Sequence, residues 1–255
     1  MIARMSASMY DLVHKSGMTF KEVTDGINLP NKEEFIHYFN NEISDRLVKA
    51  INLSSKVRHI SDEELIKGGQ PDQAAGFVWF KGNTPRPENA REVRFYINAS
   101  PTGTTNVAEY LGKVSDVLDT YGMRLQFKFR KDIGDYDRTD TCVAYLYMPE
   151  TNTQDKKDVS DQWLVKIKEL MAKMPKDSIR DQNSFFTDRI TGGISFAEDT
   201  REKEGKKGES YTSQITKSIS ESAGEMSGQY KDLTLDAIEK ITSKTVEKLK
   251  NINYF

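Results

Sequence analysis

The sequence predicts an α+β fold: a mixed or antiparallel sheet with helices packed on one face, and helical N- and C-terminal segments. Three observations carry this. Residues 92–99 and 123–130 alternate between apolar and polar side chains, the two-residue period of a strand with one buried face. Between them, Val107, Tyr110, Leu111, Val114, Val117, Leu118 and Tyr121 recur at helical spacing. A strand-like run from Cys142 to Met148 and a second helical pattern over Ser160–Met174 follow.

Taken in order, the first thirty residues are mixed and end in Leu29-Pro30-Asn31. Asn31 suits an N-cap, and Glu33 and Glu34 then favour the positive end of a helix dipole. Phe35, Phe39, Ile43, Leu47 and Ile51 follow at every fourth position, one apolar stripe on a long helix. Gly68-Gly69-Gln70-Pro71 breaks the chain, and Phe77-Val78-Trp79-Phe80 reads as a short buried strand. The segment Pro101-Thr102-Gly103-Thr104 ends the 92–99 strand and opens the next helix, which Gly122 closes as a left-handed C-cap. A turn-rich stretch, Asp132 to Asp140, leads into the strand that Pro149 stops. Beyond Asp199, Arg201 to Glu209 is a glycine-punctuated charge run, and the tail carries only a thin apolar stripe. The expected division is an N-terminal helical region (1–75), an α+β domain (76–200), and a linker with C-terminal helices packing on the body (201–255).

Composition narrows the function. A formal net charge of −2, from 37 basic and 39 acidic residues, gives no reason to expect a nucleic-acid partner. Hydrophobic content of 36% against 30% charged suggests that part of the length is solvated helix or tail. The single cysteine, Cys142, excludes an intramolecular disulfide and lies in a strand-like run where a buried, inert thiol is expected. No segment has 18 consecutive apolar residues, so no membrane span is expected, and the N-terminus lacks the apolar core of a cleavable signal peptide. No residue pattern calls for a metal or a cofactor. His14, His37 and His59 have no ligand-like spacing.

Charge is concentrated locally. In Met123-Arg124-Leu125-Gln126-Phe127-Lys128-Phe129-Arg130 every ionisable residue on the polar face is cationic. If the Arg94/Tyr96/Asn98 face belongs to a neighbouring strand, the two form a cationic patch suited to phosphate or carboxylate. The alternative is an exposed sheet face with ordinary solvating charges. In Asp135-Tyr136-Asp137-Arg138-Thr139-Asp140, either the charges pair locally within a polar turn, or Arg138 meets an anion and Asp140 orients it. A double glycine, Gly192-Gly193, offers backbone N–H groups but lacks the phosphate-loop pattern and its lysine.

The order of these pieces resembles a known family. Arg94-Phe95-Tyr96-Ile97-Asn98, a helix, Leu125-Gln126-Phe127-Lys128, the 135–140 block, a strand ending at Pro149, then Phe186-Thr187 and Gly193-Ile194-Ser195-Phe196-Ala197-Glu198-Asp199 are similar to the HopA family of type III secretion effectors, over roughly residues 90–215. The resemblance implies a protein delivered by a bacterium into a host cell, with a host protein or phosphopeptide as partner and a secretion chaperone as a further one. Relatives of the domain act in class V lanthipeptide biosynthesis as phosphoserine/phosphothreonine lyases, which leave a dehydroamino acid. That chemistry needs a base for the α-proton, an acid for the leaving group and cations for the phosphate. The resemblance thereby implies Lys128 as base, Asp140 as a second catalytic group, and Arg94, Tyr96, Asn98, Arg130, Arg138 and Arg189 as phosphate-binding residues. After Glu209-Ser210-Tyr211 the chain departs from the family, with Thr212-Ser213-Gln214-Ile215 where a His-Arg pair is expected. An effector that binds a phosphopeptide without turning it over therefore stands beside the lyase.

Overall fold

The protein was analysed as a computed structural model, which describes residues 32–51, 56–88, 90–149, 154–184, 187–198 and scattered positions between 215 and 247. The first thirty-one residues, the 201–209 charge run and the 209–214 block lie outside the described residues. By internal contacts the chain forms two units, one of residues 15–198 and the other of residues 1–14 with 199–255. In the second unit, Ser222 Oγ donates to the Ser218 carbonyl at 2.7 Å, one helical turn back.

The first unit holds strands β1 (Val57–Ile60), β2 (Phe77–Gly82), β3 (Ala90–Ile97), β4 (Arg124–Arg130), β5 (Cys142–Pro149), β6 (Asp188–Thr191) and β7 (Ile194–Glu198). They form one sheet in the order β1-β2-β4-β5-β3-β7-β6. Every pairing is antiparallel, so the sheet is antiparallel and not mixed. Helices α1 (Lys32–Ile51), α2 (Asp62–Lys67), α3 (Pro71–Gly76), α4 (Thr104–Asp119) and α5 (Gln154–Met171) complete it.

The alternation of β4 decides which face is core. Leu125, Phe127 and Phe129 are fully buried. They join Phe39, Ile43 and Leu47 of α1, Val107, Leu111 and Leu118 of α4, and Ile167 and Met171 of α5 in one cluster. Burying each such side chain stabilises the fold by about 1.5–3 kcal/mol. The three long helices therefore cover one face, as the alternation predicts. The α4–β4 junction needs Gly122, whose φ of +68° is left-handed, while the Met123 N–H donates to the Leu118 carbonyl at 3.1 Å.

Two short helices that the sequence reading passed over lie on the opposite face. A capping box starts α2: Ser61 Oγ accepts from the Glu64 N–H, and the Glu64 side chain accepts from the Ser61 N–H. Leu65 of α2 and Ala74 of α3 pack with Ile60, Phe77 and Trp79 in a second, smaller cluster, against which Tyr145 rests. This cluster sits on the polar face, beside the cationic stripe.

Candidate functional site

Register places the candidate residues. One rung crosses the whole sheet through Ile60, Trp79, Lys128, Val143, Tyr96, Ser195 and Arg189, and the next on the same face, two residues along, runs through Arg58, Lys81, Gln126, Tyr145, Arg94 and Ala197. The strands carrying Lys128 and Arg94 share a sheet and a face, but they are not neighbours, because β5 lies between them. The spacer is useful, since it sets the Tyr145 ring 4.9 Å from the Arg94 guanidinium and 5.9 Å from Lys128 Nζ.

Lys128 is enclosed mostly by apolar groups. Its Nζ donates to Gln73 Oε1 of α3 at 3.0 Å and lies 3.8 Å from the centre of the Phe77 ring and 4.8 Å from that of Trp79. Rings so placed favour an ammonium. Burial opposes them and wins, because the charged form loses its hydration. With the charges of Arg130, Arg94 and Arg138 adding to burial and Asp140 opposing it, the amine is pushed down to about 7. Burial under α3 is the largest of these causes, ahead of the like charges.

Arg138 and Asp140 are both buried. The Asp140 carboxylate accepts from Arg138 Nε at 2.7 Å and Nη2 at 3.2 Å, and sits 3.7 Å from Arg130. Arg130 also reaches Asp135 at 3.5 Å and stacks 4.3 Å from the Phe77 ring centre. Burial pushes the Asp135 carboxyl up against the opposing charges of Arg130 and Arg138. A carboxylate engaged by two arginines orients them; it is poorly placed to donate a proton. Behind Arg138, Arg180 Nη2 donates to its backbone carbonyl at 3.1 Å, and burial lowers the Arg180 guanidinium to about 10.

The remaining candidates are set apart. Arg189 lies four strands from Lys128, about 19 Å at the usual strand spacing, and is exposed with Asp181 at 3.8 Å. Tyr96 and Asn98 are buried, at 3% and 0% exposure, so of the expected Arg94/Tyr96/Asn98 trio only Arg94 reaches solvent. Asn98 Nδ2 donates to the Gln182 carbonyl at 2.9 Å, an anchor for the segment after α5. The double glycine is also structural. Gly193 has φ +71°, its carbonyl accepts from the Asn98 N–H at 2.8 Å, and a Cβ there would run into the Arg180 carbonyl. Phe185 and Phe186 lie outside the described residues. Among the described residues, no group of three or more His, Cys, Asp or Glu is placed to hold a metal ion.

Gln73, Phe77, Trp79, Tyr145 and Arg180 line the site but were not legible as site residues in the sequence, although Phe77 and Trp79 were read as part of a strand. Phe77, Trp79 and Lys81 alternate with Val78 and Phe80, so a two-residue period was legible there. Nothing local marks Gln73, whose role depends on α3 folding over β4.

Comparison with known proteins agrees with this architecture. The fold is similar to that of an effector protein from Pseudomonas syringae pv. tomato strain DC3000, at 13% identity and a TM-score of 0.50, over 98% of this chain and 92% of that one. An effector protein from Pseudomonas syringae pv. syringae strain 61 aligns at 12% identity and a TM-score of 0.47, over 96% and 94% of the two chains. No curated protein sequence matches. The sequence pattern of the HopA1 effector protein family matches residues 69–244, a span that holds β2 to β7 and every candidate residue above; this chain belongs to that family.

Proposed function

We propose that this effector captures a phosphorylated serine or threonine of a host protein on the polar face of β4, and that Lys128 acts as the base of a phosphate elimination. The observation that carries the reading is an amine held at about 7 with the charges of Arg130, Arg94 and Arg138 close enough to act on it. In the neutral form Lys128 takes the α-proton. The Cα–Cβ double bond forms as the Cβ–O bond breaks, and the phosphate leaves with the electron pair and takes its proton from water. Arg130 and Arg138, held by Asp140, balance its charge, and Arg94 extends the cationic surface. Asp140 is a positioning residue here, and Arg189 is too distant to share this phosphate.

Capture without turnover is the second reading, and a specific observation favours it. Asp140 is committed to arginines, and no histidine among the described residues lies on this face: His37 is exposed on α1, and the His59 ring lies tilted against Phe80 on the core side. Among the described residues, neither a histidine nor Asp140 is therefore placed on this face to protonate the leaving group.

One assay decides between them. Phosphothreonine peptides incubated with the protein should release phosphate and gain a dehydrobutyrine residue, with a rate that rises through pH 7 as Lys128 loses its proton. Lys128→Met should abolish release while peptide binding persists. Binding with no release at any pH establishes capture alone; no binding removes both readings.

A further inference from the structure

A second cationic group lies on the same face, farther along β2 and β4. Lys81 is on the rung next to that of Lys128, and Arg124 is one rung beyond, opposite Tyr147. Both are half-buried. The nearby carboxylates are already engaged. Glu64 is held by Arg58 through two bonds of 2.8 Å, and Glu92 by Arg86 at 3.4 Å and Arg94 at 3.3 Å. Arg124 Nη2 donates to Gln126 Oε1 at 3.1 Å, its Nε is buried without a partner, and its guanidinium lies 5.9 Å from the Tyr147 ring centre. Neither Lys81 nor Arg124 has a carboxylate within ion-pair distance among the described residues. Both are pushed below their ordinary values, by burial first. The charges of Arg58 and Arg124 add to this at Lys81, and those of Arg86 and Arg58 at Arg124. Cations that repel one another on a half-buried surface gain most from an added anion.

We propose that Lys81 and Arg124 form a subsite for an acidic side chain, aspartate or glutamate, of the peptide whose phosphorylated residue sits at Lys128. Arg124 and Lys128 are four residues apart on one strand, about 13 Å at the usual rise. An extended ligand covers that distance in about four residues, so the preferred sequence carries an acid three to five positions from the phosphorylated residue. This rests on the phosphopeptide reading above and adds a sequence preference to it.

The test measures binding of labelled peptides to the full chain by fluorescence anisotropy. Four peptides are needed: a phosphothreonine peptide with glutamates three to five positions away on both sides, its alanine counterpart, the unphosphorylated glutamate peptide, and one with phosphoserine in place of the glutamates. The glutamate phosphopeptide should bind roughly five- to tenfold tighter than the alanine one. Lys81→Gln with Arg124→Gln should erase that advantage and leave affinity for the alanine phosphopeptide unchanged. Arg124→Lys, which keeps the charge, should retain it and guards against a folding defect. An advantage that survives the double substitution overturns the subsite, as does the lack of any advantage in the native protein. An advantage from phosphoserine but none from glutamate overturns the carboxylate assignment. If no phosphopeptide binds, the phosphate reading fails; the subsite stands only if the unphosphorylated glutamate peptide binds in a manner lost on Lys81→Gln with Arg124→Gln.

Discussion

At the scale of single residues, Lys128 ties the proposed chemistry to stability. Its folded-state value of about 7 lies below the ordinary lysine value of 10.5. Between those limits the unfolded chain binds the extra proton, so stability rises with pH there, by up to about 1.4 kcal/mol per pH unit. Below pH 7 the cost of burying the ammonium is present in full. Lys128→Met removes it. The variant should melt higher than wild type at pH 6, and the gap should close as pH climbs towards 10, as thermal melting across that range would register. Cys142 offers a simpler check. It is fully buried, and burial raises its thiol well above the ordinary value. It should stay unmodified by a thiol reagent at pH 8 in the native protein and react at once in urea. Both residues were legible as positions: Lys128 as the middle cation of an alternating stripe, Cys142 as a buried thiol. The surroundings of Lys128 were not, because a lysine in a sequence does not disclose which rings its cross-strand neighbours supply.

Among the elements, the long periodic ones were read within a few residues, and the short ones were missed for a physical reason. Strands β1 and β6 have four residues each, and α2 and α3 six, too few for a period to emerge from local sequence. The placement of β7 and β6 beside β3 is a matter of sheet order, which no local pattern encodes. Whether the two strands with clear alternation are neighbours was left open by the sequence; the intervening β5 was already recognised as a strand, and only its position was missing. The start of α4 is a tight point. Gly103 passes so near Ser178 that a Cβ would run into its backbone and lie 2.6 Å from its side-chain Cβ, and the Ser100 N–H donates to the Ser178 carbonyl at 2.9 Å. Gly103→Ala should therefore destabilise the protein by about 1–3 kcal/mol, seen as a lower urea midpoint with an unchanged slope. At the far side of β3, the buried Arg91 binds Glu198 of β7 at 3.0 Å and 2.5 Å and Asp161 of α5 at 2.5 Å. Arg91→Met leaves those two half-exposed carboxylates without their cation and should loosen α5 and β7 together. Faster amide exchange in both elements, with α1 unaffected, would register it.

For the whole molecule, a net charge of −2 conceals a polarised sheet. The three long helices and the main core occupy one face, and the other carries Arg58 of β1, Lys81 of β2, Arg94 of β3 and the three cations of β4, beside α2 and α3. Ligand capture on that face should weaken several-fold between low and high salt, since its outer cations are solvent-screened; an affinity indifferent to salt would place the ligand elsewhere. The strand order has a kinetic consequence as well. β4 and β5 are joined through residues 131–141 alone and are closer in sequence than β3 and β5, whose pairing requires the helix α4 and the strand β4 between them to fold back. Arg94 and Lys128 therefore meet late in folding. A refolding chain that forms its hairpins first would gain ligand-binding competence last. The proposed ligand surface would thus report completed folding, since its two cationic strands come together only when the pairing of β3 with β5 closes.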